Sequence, residues 1–104
     1  MIYTNPNQED AKYKVKSKYA NFIGGKWTEP QEGNYFDNIS PVTGESYAKI
    51  PKSTQKDVDL AVEAAQKAQV EWGKKSLSER SQLLLDIADR IEENLEYLAV
   101  IETF

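Results

Sequence analysis

Cysteine and histidine are both absent from these 104 residues, and there is a single methionine. Disulfides, thiolate and imidazole metal ligands, a cysteine nucleophile and a histidine general base are thereby removed together. Most enzyme chemistries are excluded with them. Long apolar runs are missing too: no stretch reaches membrane-spanning length, and the opening "MIYTNPNQEDAKYKVKSKY" holds no apolar block of signal-peptide size, so the expected compartment is the cytoplasm. There is no internal repeat, low-complexity tract, dinucleotide GxGxxG fingerprint, P-loop or HExxH zinc motif.

The chain is sized for one small domain, because a chain this short buries only about 60–70% of its unfolded surface. With 39% hydrophobic and 29% charged residues it falls in the ordinary soluble range rather than the disordered one. No strong excess of one charge sign is present, but the net −4 is unevenly spread. Residues 1–52 hold seven Lys and Arg against six Asp and Glu, and residues 53–104 hold six against eleven, so the halves carry +1 and −5. An acidic helical half argues against a nucleic-acid partner.

Residues 1–18 form a polar basic arm in which Lys12, Lys14, Lys16 and Lys18 alternate with Tyr13, Val15 and Ser17. The alternation fits an edge strand or an extended arm, with like charges on one face discouraging edge pairing. A phosphate-tracking role is the sharper reading, but the acidic remainder of the chain argues against it, so a solvated arm is the expectation. Two hairpin signals follow. Gly24-Gly25 supplies the two positive φ angles of a type I′ turn between runs holding Phe22, Ile23 and Trp27. Ser40-Pro41-Val42-Thr43-Gly44 closes a second, longer connection between "YFDNI" and "ESYAKI". Asn38-Ile39-Ser40 is formally a glycosylation sequon, without a secretory signal to give it meaning.

From Ser53 the apolar period changes from 2 to 3.6. Thr54 to Asp57 reads as a capping box. Val58, Ala61, Val62, Ala65, Ala68 and Trp72 then form one stripe of a helix expected to end near Gly73, with enough alanine to let a partner backbone approach closely. Ser76-Leu77-Ser78-Glu79 is a second box, opening a helix striped by Leu83, Leu84, Ile87, Ala88 and Ile91. Asn94 is a candidate cap for a third segment, "LEYLAVIETF". That segment has neither a terminal Gly nor a basic last turn, so the architecture reads as one built to continue.

Candidate chemistry is thin. The acidic pairs Asp57/Asp59, Asp86/Asp89 and Glu92/Glu93 lie on polar helix sides, where solvated charge is the ordinary explanation, and Asp86 with Arg90 fits an i,i+4 ion pair. Trp27, Trp72, Tyr35, Phe36 and Tyr47 could make a stacking platform, but a small core needs their bulk. Gly24-Gly25 needs no ligand to explain it. The residues alone reach an α+β chain, two N-terminal β-hairpins followed by two to three amphipathic helices, with no self-sufficient active site.

Five segments, "NFIGGKW" (Asn21–Trp27), "NISPVTGE" (Asn38–Glu45), "DVDLAVEAAQKA" (Asp57–Ala68) leading to Trp72, "SERSQLLLDIADRIEENLEYLA" (Ser78–Ala99) and "IETF" (Ile101–Phe104), stand in order across residues 19–104. Together they resemble the N-terminal region of the NAD(P)-dependent aldehyde dehydrogenase superfamily, and most of all its bacterial acetaldehyde dehydrogenase branch. The resemblance implies that residues 19–104 are the incomplete N-terminal portion of a Rossmann-like α/β cofactor domain, preceded by the 1–18 arm. It implies a parent enzyme oxidising a small aliphatic aldehyde to a carboxylate with NAD or NADP, usually as a homo-oligomer. The family's catalytic Cys, Asn and Glu and its dinucleotide-binding elements all fall downstream of the matched region, so no catalytic or cofactor-binding residue is expected here and the chain alone is expected to be inactive. The family also holds a monovalent cation with backbone carbonyls that map to Asn38 and Ile39, joined by an Asp beyond "ETF", so only half of that site would be present. The partners so implied are the remainder of the parent enzyme or other subunits, with no nucleic acid and no membrane. An alternative is a non-enzymatic interaction module that binds another chain through its incomplete apolar faces.

Overall fold

The computed structural model describes residues 3–104, so the first two residues of the 1–18 arm lie outside the described residues. Seven elements follow in order: β1 (Asn21–Ile23), β2 (Lys26–Thr28), β3 (Tyr35–Ile39), β4 (Ser46–Pro51), α1 (Gln55–Lys74), α2 (Leu77–Glu93) and α3 (Leu95–Thr103). β1 and β2 pair antiparallel with Phe22 opposite Trp27 and Ile23 opposite Lys26. Two residues remain for the turn, and Gly24 and Gly25 take φ of 59° and 79°, the left-handed pair that a type I′ turn demands. The aromatic rings across this ladder pack at 4.9 Å between centroids.

β3 and β4 form a second antiparallel pair, in which Asn38 faces Ala48 but Ile39 faces Ser46. Tyr47 is therefore the extra residue of a bulge, which bends the strand and increases its twist. The connection closes through Gly44 N–H donating to Ser40 O at 2.8 Å and Ser40 N–H donating to Glu45 O at 2.9 Å. The arm joins this pair by a single parallel bridge, Lys18 to Lys49, with Tyr19 N–H donating to Lys49 O and Lys49 N–H to Ser17 O, both at 2.9 Å.

Helix boundaries follow local chemistry. At α2 the capping box is complete: Glu79 N–H donates to Ser76 Oγ at 3.1 Å and Ser76 N–H to the Glu79 carboxylate at 2.8 Å. α1 continues through Gly73, which keeps an ordinary negative φ, to Lys74. It stops because Lys75 turns extended (ψ 145°) and Ser76 already caps α2. Asn94 does not cap α3 with its side chain; its Nδ2 donates to Arg90 O at 2.8 Å and so closes α2.

Ala11, Ala48 and Phe104 are the buried hydrophobic side chains among the described residues, and Ser40 and Asp57 the buried polar ones. Trp27 and Phe36, read from the sequence as core, are 66% and 51% exposed, because each two-stranded sheet has no second layer over that face. Tyr35, Tyr47 and Trp72 are half-buried. The stripes of α1 and α2 also face outward. The radius of gyration is 17.4 Å, against about 13 Å for a compact chain of this length. The accessible surface of 8190 Å² exceeds by about 2,300 Å² the roughly 5,900 Å² of a compact monomer of this mass.

Candidate functional site

One convergence lies where the end of α3 meets the β3–β4 connection. Ser40 follows β3 directly and is fully buried; its hydroxyl donates to Phe104 O and accepts from Val42 N–H at 3.2 Å. Phe104, itself buried, packs its ring on Tyr47 at 4.8 Å between centroids. The Tyr47 hydroxyl in turn accepts from Asn38 Nδ2 at 2.8 Å. Asn38 and Ile39, the residues proposed from the resemblance as cation ligands, thus stand at the bulge beside the last residue of α3's cap.

A second convergence comes from the arm. The hydroxyls of Tyr3 and Tyr13 and the ammonium of Lys12 all reach the Glu96 carboxylate on α3, the ammonium at 3.0 Å. Tyr13 also meets Tyr97 edge-on at 5.7 Å. The arm is therefore docked on α3 rather than solvated, although Lys14, Lys16 and Lys18 do face outward. Nothing local in sequence marks Glu96, since its donors lie 93, 84 and 83 residues away.

The acidic pairs separate into unlike roles. Asp57 is buried and clamps the start of α1 to the preceding turn, its carboxylate accepting from Thr54 N–H at 2.8 Å and Gln31 N–H at 2.9 Å. Those two amides hold its carboxyl below the ordinary carboxylate value. Asp59 accepts from Gln55 at 2.7 Å. Asp86 accepts from Gln82 at 2.9 Å, and Arg90 pairs with Glu93 at 3.3 Å, so the i,i+4 pair expected between Asp86 and Arg90 does not form. Among the described residues no three acidic groups come together as a metal site.

The β4–α1 connection, Lys52-Ser53-Thr54, contains no glycine, whereas a pyrophosphate needs a glycine turn to approach the helix amides. The start of α1 is already filled by the Asp57 carboxylate, which would repel a phosphate.

What the chain does present is apolar concavity. An open hollow of about 520 Å³ runs along α1 between Val62, Ala65, Ala68 and Trp72. A groove of about 470 Å³ runs along α2 into α3, floored by Leu83, Ile87, Ile91 and Leu98 and rimmed by Asp86 and Arg90. A third cleft, about 430 Å³, lies between the arm, Val42 and α3.

Comparison with known proteins places this architecture. The model of the aldehyde dehydrogenase family matches residues 27–104, three quarters of the chain. The chain belongs to the aldehyde dehydrogenase family. A long-chain-aldehyde dehydrogenase of an Acinetobacter species is 56% identical over all 104 residues, which make up 21% of that protein. An acetaldehyde dehydrogenase of Pseudomonas aeruginosa is 50% identical, again over the whole chain and 21% of the relative. The crystal structure of an NAD-dependent aldehyde dehydrogenase from Sinorhizobium meliloti superposes with a TM-score of 0.78 at 35% identity, covering 96% of this chain and 20% of that one. The chain therefore spans about a fifth of the length of the aldehyde dehydrogenases it matches. The two hairpins and three helices are an α+β portion of the family's architecture, and no described helix is long and apolar enough to cross a membrane.

Proposed function

We propose that this chain acts as the N-terminal scaffold of an NAD(P)-dependent aldehyde dehydrogenase that oxidises an aliphatic aldehyde to a carboxylate in the cytoplasm, and that it has no activity alone. The observation that carries the reading is the excess of about 2,300 Å² of surface over a compact monomer, with large apolar side chains exposed on the hairpins and along the helix stripes. A standard interface removes only about 800 Å² per partner, so this excess is of the size buried inside a domain or an obligate assembly. The relatives' names range from acetaldehyde to long-chain aldehyde and support an aliphatic substrate without choosing its length.

Inactivity follows from chemistry. Without cysteine the chain cannot form the thiohemiacetal from which hydride would leave. On the same reading Asn38 and Ile39 contribute two main-chain oxygens to a monovalent-cation site. A hard cation takes about six oxygens or more, so its other ligands come from outside these residues. The test is complementation. The purified chain with NAD and acetaldehyde is expected to produce no NADH, and addition of the remaining four-fifths of a relative is expected to restore turnover. Turnover by the 104-residue chain alone contradicts the reading. Tight binding to an unrelated protein, with no rescue by the dehydrogenase remainder, favours the interaction-module alternative, which the same exposed faces support.

A further inference from the structure

Residues 3–18 touch three pieces of the molecule that no strand pairing joins. The two hairpins form separate two-stranded sheets, and α3 stands at the far end of the sequence. At its start the arm doubles back on itself: Gln8 N–H donates to Asn5 O at 2.9 Å, Ala11 N–H to Gln8 O at 3.2 Å and Val15 N–H to Pro6 O at 3.4 Å. The reversal brings the Tyr3 and Tyr13 rings to 6.0 Å between centroids, which is how both hydroxyls and the Lys12 ammonium reach the one Glu96 carboxylate on α3. Further along, the Lys16 ammonium lies 5.3 Å from the centre of the Trp27 ring on β2, and the Lys18 ammonium 4.2 Å from that of the Tyr35 ring on β3. Both fall inside the roughly 6 Å over which a cation is drawn to an aromatic face. The main chain of residues 17–19 completes the set on β4.

We propose that the arm is a releasable strap worked by the charges of Lys12, Lys16 and Lys18: it ties α3 and the two hairpins into one unit and lets them go when those charges are neutralised or screened. Each contact is weak alone. The side chains of Lys12 and Glu96 are 61% and 46% exposed, and an exposed ion pair contributes little because water and salt screen it and two long side chains must be held still. An ammonium over an exposed ring is of the same small order. The arm therefore stays docked only while the three act together, at the low-stability end of the fold where opening is local. Salt shortens the reach of each charge from about 10 Å at 0.1 M to about 3 Å at 1 M, so ionic strength is one release signal. Loss of lysine charge is another, since it removes the ion pair and the cation–π contacts together. The device lies wholly within these residues, so it holds whether or not the chain serves as the scaffold of a dehydrogenase, and its test reads no enzyme activity.

Chymotrypsin reads the strap at Tyr13, whose hydroxyl and ring are both engaged on α3. Cleavage after Tyr13 in the 104-residue chain is compared with cleavage in a free peptide of residues 3–18 at the same salt. At low salt the chain is expected to be cut at least about tenfold more slowly than the peptide. The triple variant Lys12→Gln, Lys16→Gln, Lys18→Gln is expected to be cut within about twofold of the peptide's rate, with unchanged helical circular dichroism because all three positions lie outside every helix. Replacing the same three by Arg keeps the charges and is expected to keep the protection. Glu96→Lys sets a cation against Lys12 and is expected to release the arm as the Gln triple does. Salt at about 1 M is expected to release the parent and to leave the Gln triple unchanged. A parent chain cut as fast as the peptide overturns the proposal, because the arm is then not docked. So does a Gln triple protected like the parent, which would show the tyrosines holding the arm without charge. Release in the Arg triple, or a parent indifferent to salt, overturns it as well.

Discussion

Two regions of the chain are built by different rules. Around the β3–β4 connection, segments far apart in sequence meet. Ser40 reaches Phe104, the arm reaches Glu96, and the Phe104 ring packs on Tyr47. Along the bodies of α1 and α2 local signals dominate: the helices start at capping boxes, keep their 3.6-residue stripes and leave most of those stripes in solvent. Helix formation and helix burial are therefore separable. Capping and periodicity are satisfied within twenty residues, whereas burial needs a surface this chain does not itself supply. Most helical stability in folded proteins comes from the packed face rather than from propensity, so the two regions should differ in how substitutions act on them.

The largest expected effect is in the packed region. Phe104→Ala removes the ring packed on Tyr47 and is expected to destabilise the β3–β4/α3 unit by about 3 kcal/mol, the low end for a buried aromatic. Urea titration followed by tyrosine fluorescence measures it. Ser40→Ala comes next. It strips the donor from Phe104 O and the acceptor from Val42 N–H in a fully buried setting, with an expected cost of about 2 kcal/mol by the same titration. If both changes were silent, the packed region would be no better held than the helices.

The junction between the regions is tested by acid. The carboxyl of Asp57 is held low first by the Thr54 amide and then by the Gln31 amide, below its ordinary 3.8. A carboxylate whose folded pKa is depressed stabilises the fold above its unfolded pKa and loses that contribution as pH falls through the folded value. The clamp is therefore expected to be intact above about pH 4 and to release below it, freeing the start of α1 from the Pro30–Gly33 turn. Helical circular dichroism from pH 5 to pH 2 should show this loss in the parent and a flatter response in Asp57→Asn. The smallest effect belongs to the open region. Leu84, 64% exposed on α2, is expected to change stability by less than about 0.5 kcal/mol on replacement by Ala, despite its place in an apolar stripe.

What could be read from the sequence divides along the same line. Gly24-Gly25 demanded its turn, Ser76 and Glu79 announced α2, and the change of period at Ser53 marked the passage from hairpins to helices, because each signal acts within a few residues. The family was legible from five segments in register. The packed unit was not: Ser40 sits 64 residues from Phe104, and no local pattern foretells that Tyr3, Lys12 and Tyr13 share Glu96. Trp27 and Phe36 misled for a related reason. Their bulk is suited to a core, but a two-stranded sheet without a facing layer leaves them in water. Asp86 and Arg90 had the spacing of an ion pair, and closer alternatives in Gln82 and Glu93 took both.

The central claim, that α1 and α2 are formed but uncovered until the rest of an aldehyde dehydrogenase packs on them, is tested most directly by hydrogen exchange. Amide protection would be followed residue by residue in the free chain and after addition of the remaining four-fifths of a relative. The account predicts that protection along α1 rises at least about tenfold on addition, equivalent to about 1.4 kcal/mol, while the amides of β3, β4 and the end of α3 change little. Equal protection of α1 and the β3–β4 unit in the free chain, or no rise on addition, would contradict it.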